Sequence, residues 1–103
     1  MRIYLSGPMT GHRDFNFPAF VAEARRLRAL GYEVTNPAEI DFPADAQRHE
    51  CMRADIAAMM GCEAIAMMPG WQKSTGAILE MNLAHRVGML ILFADEIRGV
   101  EPC

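Results

Sequence analysis

The sequence predicts an α/β fold: a small three-layer domain with helices on both faces of a parallel sheet of four or five strands. Three observations predict it. Strand and helix patterns alternate along the chain, which yields right-handed crossovers and parallel pairing. The run Ala64-Ile65-Ala66-Met67-Met68 is almost wholly apolar, the pattern of a strand buried on both faces. The 103 residues suffice for one hydrophobic core and not two, so residues 1–103 read as a single domain.

Residues 2–6 (Arg-Ile-Tyr-Leu-Ser) form the first strand, ended by the turn pair Gly7-Pro8. A long loop to Asn16 follows, polar at Thr10, His12, Arg13 and Asp14. A helix opens at Phe17-Pro18-Ala19-Phe20, with Asn16 as N-cap and Pro18 in the first turn. Phe20, Ala24, Leu27 and Leu30 carry its helical spacing, and Gly31 stops it. Residues 32–35 form a short second strand closed by Asn36-Pro37, and residues 38–44 a loop. The second helix is expected over residues 46–60, with Met52, Ile56, Met59 and Met60 inward. Residues 63–68 form the third strand, 74–87 the third helix ended by Gly88, and 89–93 a final buried strand. This order is that of a small flavodoxin-like or Rossmann-like domain.

Composition narrows the function classes. Apolar residues make up 51% of the chain and the mean hydropathy is close to zero, as in a globular domain. No apolar run reaches the ~18 residues of a membrane-spanning helix, and the first residues are a strand rather than a signal peptide, so no membrane partner is expected. The net charge of −3 gives no electrostatic basis for binding a nucleic acid polymer. Cys51, Cys62 and Cys103 form no C-x-x-C pair, and no ligand set has zinc spacing. An odd cysteine count suits a reducing cytoplasm. No cofactor and no metal is expected. Nine methionines, several of them on the second helix, either fill the core or face a second subunit, and a homodimer is expected.

Three polar features gather at the carboxyl edge of the predicted sheet, where open α/β sheets bind ligands. The first is Tyr4 with the loop Gly7-Pro8-Met9-Thr10-Gly11, whose glycines permit close approach of backbone to ligand. The second is Asp55 within the second helix, beside Ala54 and Ala58. The third is Ser74-x-Gly76-x-x-x-Glu80. Gly76 and Ala84 lie one turn either side of Glu80 and leave it room on its helix face. Ser74 either caps its helix or, with the same N–H groups, holds an anion. Trp71, in the loop before that helix, either stacks on a ligand ring or anchors the loop.

Taken together, these residues resemble the nucleoside 2-deoxyribosyltransferase superfamily, which includes the 2'-deoxynucleoside 5'-monophosphate N-hydrolases. The motifs are Tyr4 in Ile-Tyr-Leu-Ser-Gly-Pro, Asp55 eight residues before the strand Glu63-Ala64-Ile65-Ala66, and Ser74-Thr75-Gly76-Ala77-Ile78-Leu79-Glu80 with Ala84. The likeness spans nearly the whole chain and is strongest to a short branch with the Gly-Pro-Met-Thr-Gly start and the Pro-Gly-Trp loop.

The resemblance implies attack on an N-glycosidic bond with retention of configuration. Glu80 matches the nucleophile, Asp55 the acid near the leaving base, and Tyr4 the residue that orients the nucleophile. Gly7, Pro8, Met9, Gly11, Ser74, Gly76 and Trp71 are the expected substrate-binding positions. Ser74 stands where the transferases carry an aspartate for the 5'-hydroxyl and the monophosphate hydrolases a serine, which favours a nucleotide. Pro8 and Thr10 stand where those hydrolases place a serine and an arginine for the phosphate; His12 and Arg13 are the nearest replacements. Hydrolysis of a (deoxy)nucleoside 5'-monophosphate is therefore the first expectation. The alternatives are base exchange between deoxynucleosides and a nucleotide-binding protein without turnover.

Overall fold

The computed structural model describes residues 1–9, 13–40, 43 and 45–97. Strand β1 (Arg2–Ser6) leads to helix α1 (Phe17–Ala29) and strand β2 (Glu33–Thr35). Helix α2 (Arg48–Met59), strand β3 (Ala64–Met67), helix α3 (Thr75–Arg86) and strand β4 (Leu90–Phe93) complete the order. The sheet runs β2-β1-β3-β4 with every neighbouring pair parallel. Among the described residues it has four strands, the lower of the two expected numbers.

Alternating side chains on the central strands build two cores. On one face Ile3, Leu5, Ala64 and Ala66 meet Phe20, Ala24 and Leu27 of α1. On the other, Tyr4, Ile65 and Met67 meet Met59 of α2 and Ala77 and Ala84 of α3. The three layers are thus α1, the sheet, and α2 with α3. The chain steps outward from β1 to β2, then crosses back to place β3 on β1's other side. That reversal opens a crevice between the carboxyl ends of β1 and β3. The two strands are in register there, with Ser6 opposite Met67.

Local chemistry sets the boundaries. Gly31 and Gly88, at φ +101° and +80°, turn the chain out of α1 and α3 in a conformation that costs other residues energy. Gly7 serves a different need. A Cβ there would lie 2.8 Å from the Met68 Cβ, so only glycine lets the first loop press against the end of β3.

Several expectations require correction. Asn16 does not cap α1: it sits at φ +62°, and its side-chain amide donates to the Pro8 carbonyl at 2.9 Å, tying the first loop to the helix start. Helix α2 begins at Arg48, two residues later than expected, because the Glu50 carboxylate accepts the Gln47 N–H at 3.2 Å and fixes the first turn. Met60 follows the last turn of α2 and is exposed rather than inward. Strand β4 is not buried. It has one strand neighbour, and Leu90 and Phe93 are 52% and 38% exposed. An apolar run cannot by itself reveal that its strand will lie at a sheet edge. Among the described residues, no helix is long and apolar enough to cross a membrane.

Candidate active site

Glu80 lies in the second turn of α3, on the side that faces β1, and is only 7% exposed. Its carboxylate is met by two hydroxyls from that strand. Tyr4 Oη donates to Oε2 at 2.8 Å, and Ser6 Oγ donates to Oε1 at 2.6 Å. Positions 4 and 6 share one face because side chains alternate along a strand. Each carboxylate oxygen therefore has its own donor, and the group is fixed in place.

The electrostatics follow from that setting. Burial raises the pKa of Glu80, while the hydrogen bonds from Ser6 and Tyr4 pull the other way by favouring the charged form. Tyr4 is also pushed well above its ordinary value, first by burial and then by the Glu80 charge, so it remains a proton donor at neutral pH.

Asp55 comes from the middle of α2. Its Oδ1 is buried and has no hydrogen-bond partner among the described residues. Burial, followed by the nearby charge of Glu80, lifts its pKa from 3.8 to about 7. An unpartnered buried carboxyl oxygen is costly when ionised, so Asp55 readily keeps a proton.

Asp55 and Glu80 open into one cavity of about 730 Å³, the size range of small-molecule sites. It occupies the crevice at the carboxyl ends of β1 and β3. Tyr4, Gly7, Pro8, Met9, Ser74 and Gly76 also line it. Ser74 Oγ accepts the Ala77 N–H at 3.2 Å and so caps α3 while bordering the cavity. Gly76 keeps the wall open, since a Cβ there would meet nothing closer than the Met52 Cε at 3.9 Å. Gly11 and His12 lie outside the described residues, as does the side chain of Arg13.

Trp71 lies apart from Glu80 and Asp55. It lines a separate, smaller cavity with Met67, Gln72 and Asp95, and its ring lies 6.2 Å from that of Phe93. The 3-10 turn at Trp71–Lys73 directs the indole toward β4, where it anchors the loop. Aromatic cover for the cavity comes instead from Phe15, Phe17 and Phe20.

Four contributors escaped the reading of the sequence. Ser6 was legible from strand periodicity, two residues beyond Tyr4. Arg48 precedes Asp55 by seven residues, and that spacing puts both on one helix face. Lys73 and Phe15 lie in a turn and a loop, where no periodicity marks them. No histidine borders the cavity among the described residues, and no group of three or more His, Cys, Asp or Glu side chains there could hold a metal ion.

Fold and site together define an α/β domain with a two-carboxyl cavity at the reversal point of its sheet. The chain belongs to the family described as Domain of unknown function (DUF4406), whose model matches residues 1–93. No curated protein matches the sequence.

Proposed function

We propose that the protein cleaves the N-glycosidic bond of a (deoxy)nucleoside 5'-monophosphate, with Glu80 as nucleophile. The observation that carries this reading is the pairing of two differently held carboxyl groups in one cavity. Glu80 is oriented by Tyr4 and Ser6, and Asp55 titrates near neutrality. The resemblance of Tyr4, Asp55, Ser74 and Glu80 to the nucleoside 2-deoxyribosyltransferase superfamily supports the same conclusion.

Glycoside cleavage needs a carboxylate on one face of the sugar and a proton donor for the leaving group. A Glu80 oxygen attacks C1' and forms a glycosyl ester as the C1'–N bond breaks. The bonding pair leaves with the base, which takes a proton from Asp55. Ionised Asp55 then takes a proton from water, whose oxygen attacks C1' and frees Glu80. Sugar phosphate and free base are the products. A second base in place of water completes a transfer instead. Tyr4 and Ser6 hold the Glu80 oxygens so that the attacking lone pair faces the sugar, which lowers the entropic part of the barrier.

The reading includes a cytoplasmic setting, supported by the free thiols of Cys51 and Cys62, and a homodimer, supported by exposed apolar side chains around the cavity.

The test is chromatographic. Common ribo- and deoxyribonucleoside monophosphates, and the matching nucleosides, are incubated with the protein, with and without a free acceptor base. Base release from a nucleotide without acceptor is expected, and Glu80→Gln should reduce it by roughly 10³-fold or more with the fold intact. Release that needs an acceptor would replace hydrolysis by transfer. Unchanged turnover in Glu80→Gln would remove Glu80 from the chemistry, and absence of product from every donor would leave a binding protein.

A further inference from the structure

The cavity wall carries two basic side chains that the site chemistry above does not use. Arg48 is the first residue of α2, and Lys73 ends the turn just before α3. Neither side chain makes an ion pair or hydrogen bond among the described residues. Three other arginines are paired, Arg2 with Glu33, Arg26 with Glu23, and Arg28 with Glu39, so Arg48 is one of several left available for a ligand or solvent. Two carboxyl groups share the cavity with Arg48 and Lys73, yet neither forms an ion pair with them among the described residues. Glu80 is held by the Tyr4 and Ser6 hydroxyls, and Asp55 Oδ1 has no hydrogen-bond partner among those residues.

Each cation stands at the start of a helix that borders the cavity. The Met52 Cε, on the second turn of α2, reaches to within 3.9 Å of where a Gly76 Cβ would be, so the N-terminal halves of α2 and α3 approach at one corner. The first residues of both helices line the cavity, so their positive ends border it. The first turn of α3 holds no acidic residue. Ser74 Oγ takes the Ala77 N–H, and the two amides ahead of it have no partner within the helix, as at any helix start. Glu80 lies four residues, about one turn, beyond Gly76, a rise of about 6 Å. That is the scale of the span across a furanose ring from the anomeric carbon to a 5'-substituent.

We propose that Arg48 and Lys73 are the specificity-determining residues for phosphate: together they hold a sugar 5'-phosphate at this corner while Glu80 faces C1'. The proposal rests on the reading of the cavity as a nucleotide site and adds the residues that select the phosphorylated substrate. Pro8 and Thr10 carry no charge, so at this site Arg48 and Lys73 supply it from the helix starts instead. Both side chains are exposed at the cavity rim, and a phosphate dianion gains more from two cations there than a neutral hydroxyl does.

Binding, not turnover, tests this. Calorimetric titrations use 2-deoxyribose 5-phosphate, inorganic phosphate and unphosphorylated 2-deoxyribose, none of which carries a bond to a base. The wild-type protein should bind the sugar phosphate best, with affinity that falls as salt rises. Arg48→Ala and Lys73→Ala should each weaken that binding by about tenfold and flatten the salt dependence. Arg48→Lys and Lys73→Arg should restore most of it. Arg53→Ala, on the same helix but outside the cavity lining, should change nothing. Thermal melts confirm that each variant is folded. Equal binding of phosphorylated and plain sugar by the wild type would overturn the proposal, as would unchanged sugar-phosphate affinity in both alanine variants. Preference for inorganic phosphate over the sugar phosphate would also overturn it, by revealing an anion site unconnected to the sugar. Failure to release base in the chromatographic assay would count against the glycosidase reading alone.

Discussion

Glu80 and Asp55 are chemically similar groups held in opposite ways, and that difference can be measured without a substrate. Asp55 has a folded-state pKa raised from 3.8 to about 7. Between those values the native state keeps a proton that the unfolded chain has released. Stability from this group therefore falls as pH rises through the window, and it is unaffected below the unfolded value, where both states are protonated. Replacement by asparagine removes the titration. Asp55→Asn should match the wild type near pH 3.5 and exceed it increasingly up to about pH 7, levelling off above. The full shift would correspond to several kcal/mol. Asp55 is only about half buried, so screening reduces the expected gap to about 1–2 kcal/mol. Melting curves of both proteins across this pH range provide the check. A constant gap would show that Asp55 is an ordinary ionised carboxylate in the fold and could not serve as the acid. The same variant should lose base-releasing activity while gaining stability, the opposition expected where a site is built at the expense of the fold.

At the scale of elements, the site joins firmly packed and loosely packed pieces. Strands β1 and β3 are the centre of the sheet, and residues 3–6 and 64–67 are all buried. Helix α3 sets Ala77, Glu80 and Ala84 against them. Helix α2 has one buried residue, Met59, at its far end from the cavity. Much of this was legible in the sequence. The apolar run of β3, the glycine after α1 and α3, and the 3.6-residue spacing of Phe20, Ala24 and Leu27 are local signals of local structure. What the sequence left hidden depends on tertiary position. Strand β4 reads as buried because its residues are apolar, but only its place at the sheet edge decides exposure. Ser6 reads as a strand end until α3 brings Glu80 beside it. Trp71 lies three residues before Ser74, yet the turn between them sends the indole to another cavity. The weak anchoring of α2 predicts unequal dynamics. Hydrogen exchange followed by mass spectrometry should find residues 48–59 exchanging well before the β1 and β3 segments, since opening free energies track buried apolar contact. A bound deoxynucleotide should slow exchange in α2 most, because Arg48, Met52 and Asp55 border the cavity. Uniform protection with and without ligand would mean that α2 is docked independently of the site.

Several large apolar side chains among the described residues are exposed to solvent. Phe15, Phe17 and Leu79 are exposed by 62%, 40% and 43%, and all three line the cavity. Val21 follows Phe17 by one helical turn and is also exposed. Clustered apolar side chains of this kind mark contact surfaces, whereas scattered ones need no explanation. A second set, Val87, Leu90 and Phe93, lies at the β4 side of the sheet. The proposed homodimer can therefore use either face, and the two make different demands. A contact through Phe15, Phe17, Val21 and Leu79 would roof the cavity and hold the substrate against Glu80; a contact along β4 would leave the cavity open. Sedimentation equilibrium should return twice the chain mass of 11.5 kDa at micromolar concentration. If the cavity face is the contact, Val21→Asp with Leu79→Asp should give a monomer that also loses most of its base-releasing activity. Leu90→Asp should leave both mass and activity unchanged. The reverse pattern would move the interface to the sheet edge, and a monomeric wild-type protein would remove the dimer and oblige the cavity to work with its aromatic rim exposed to water.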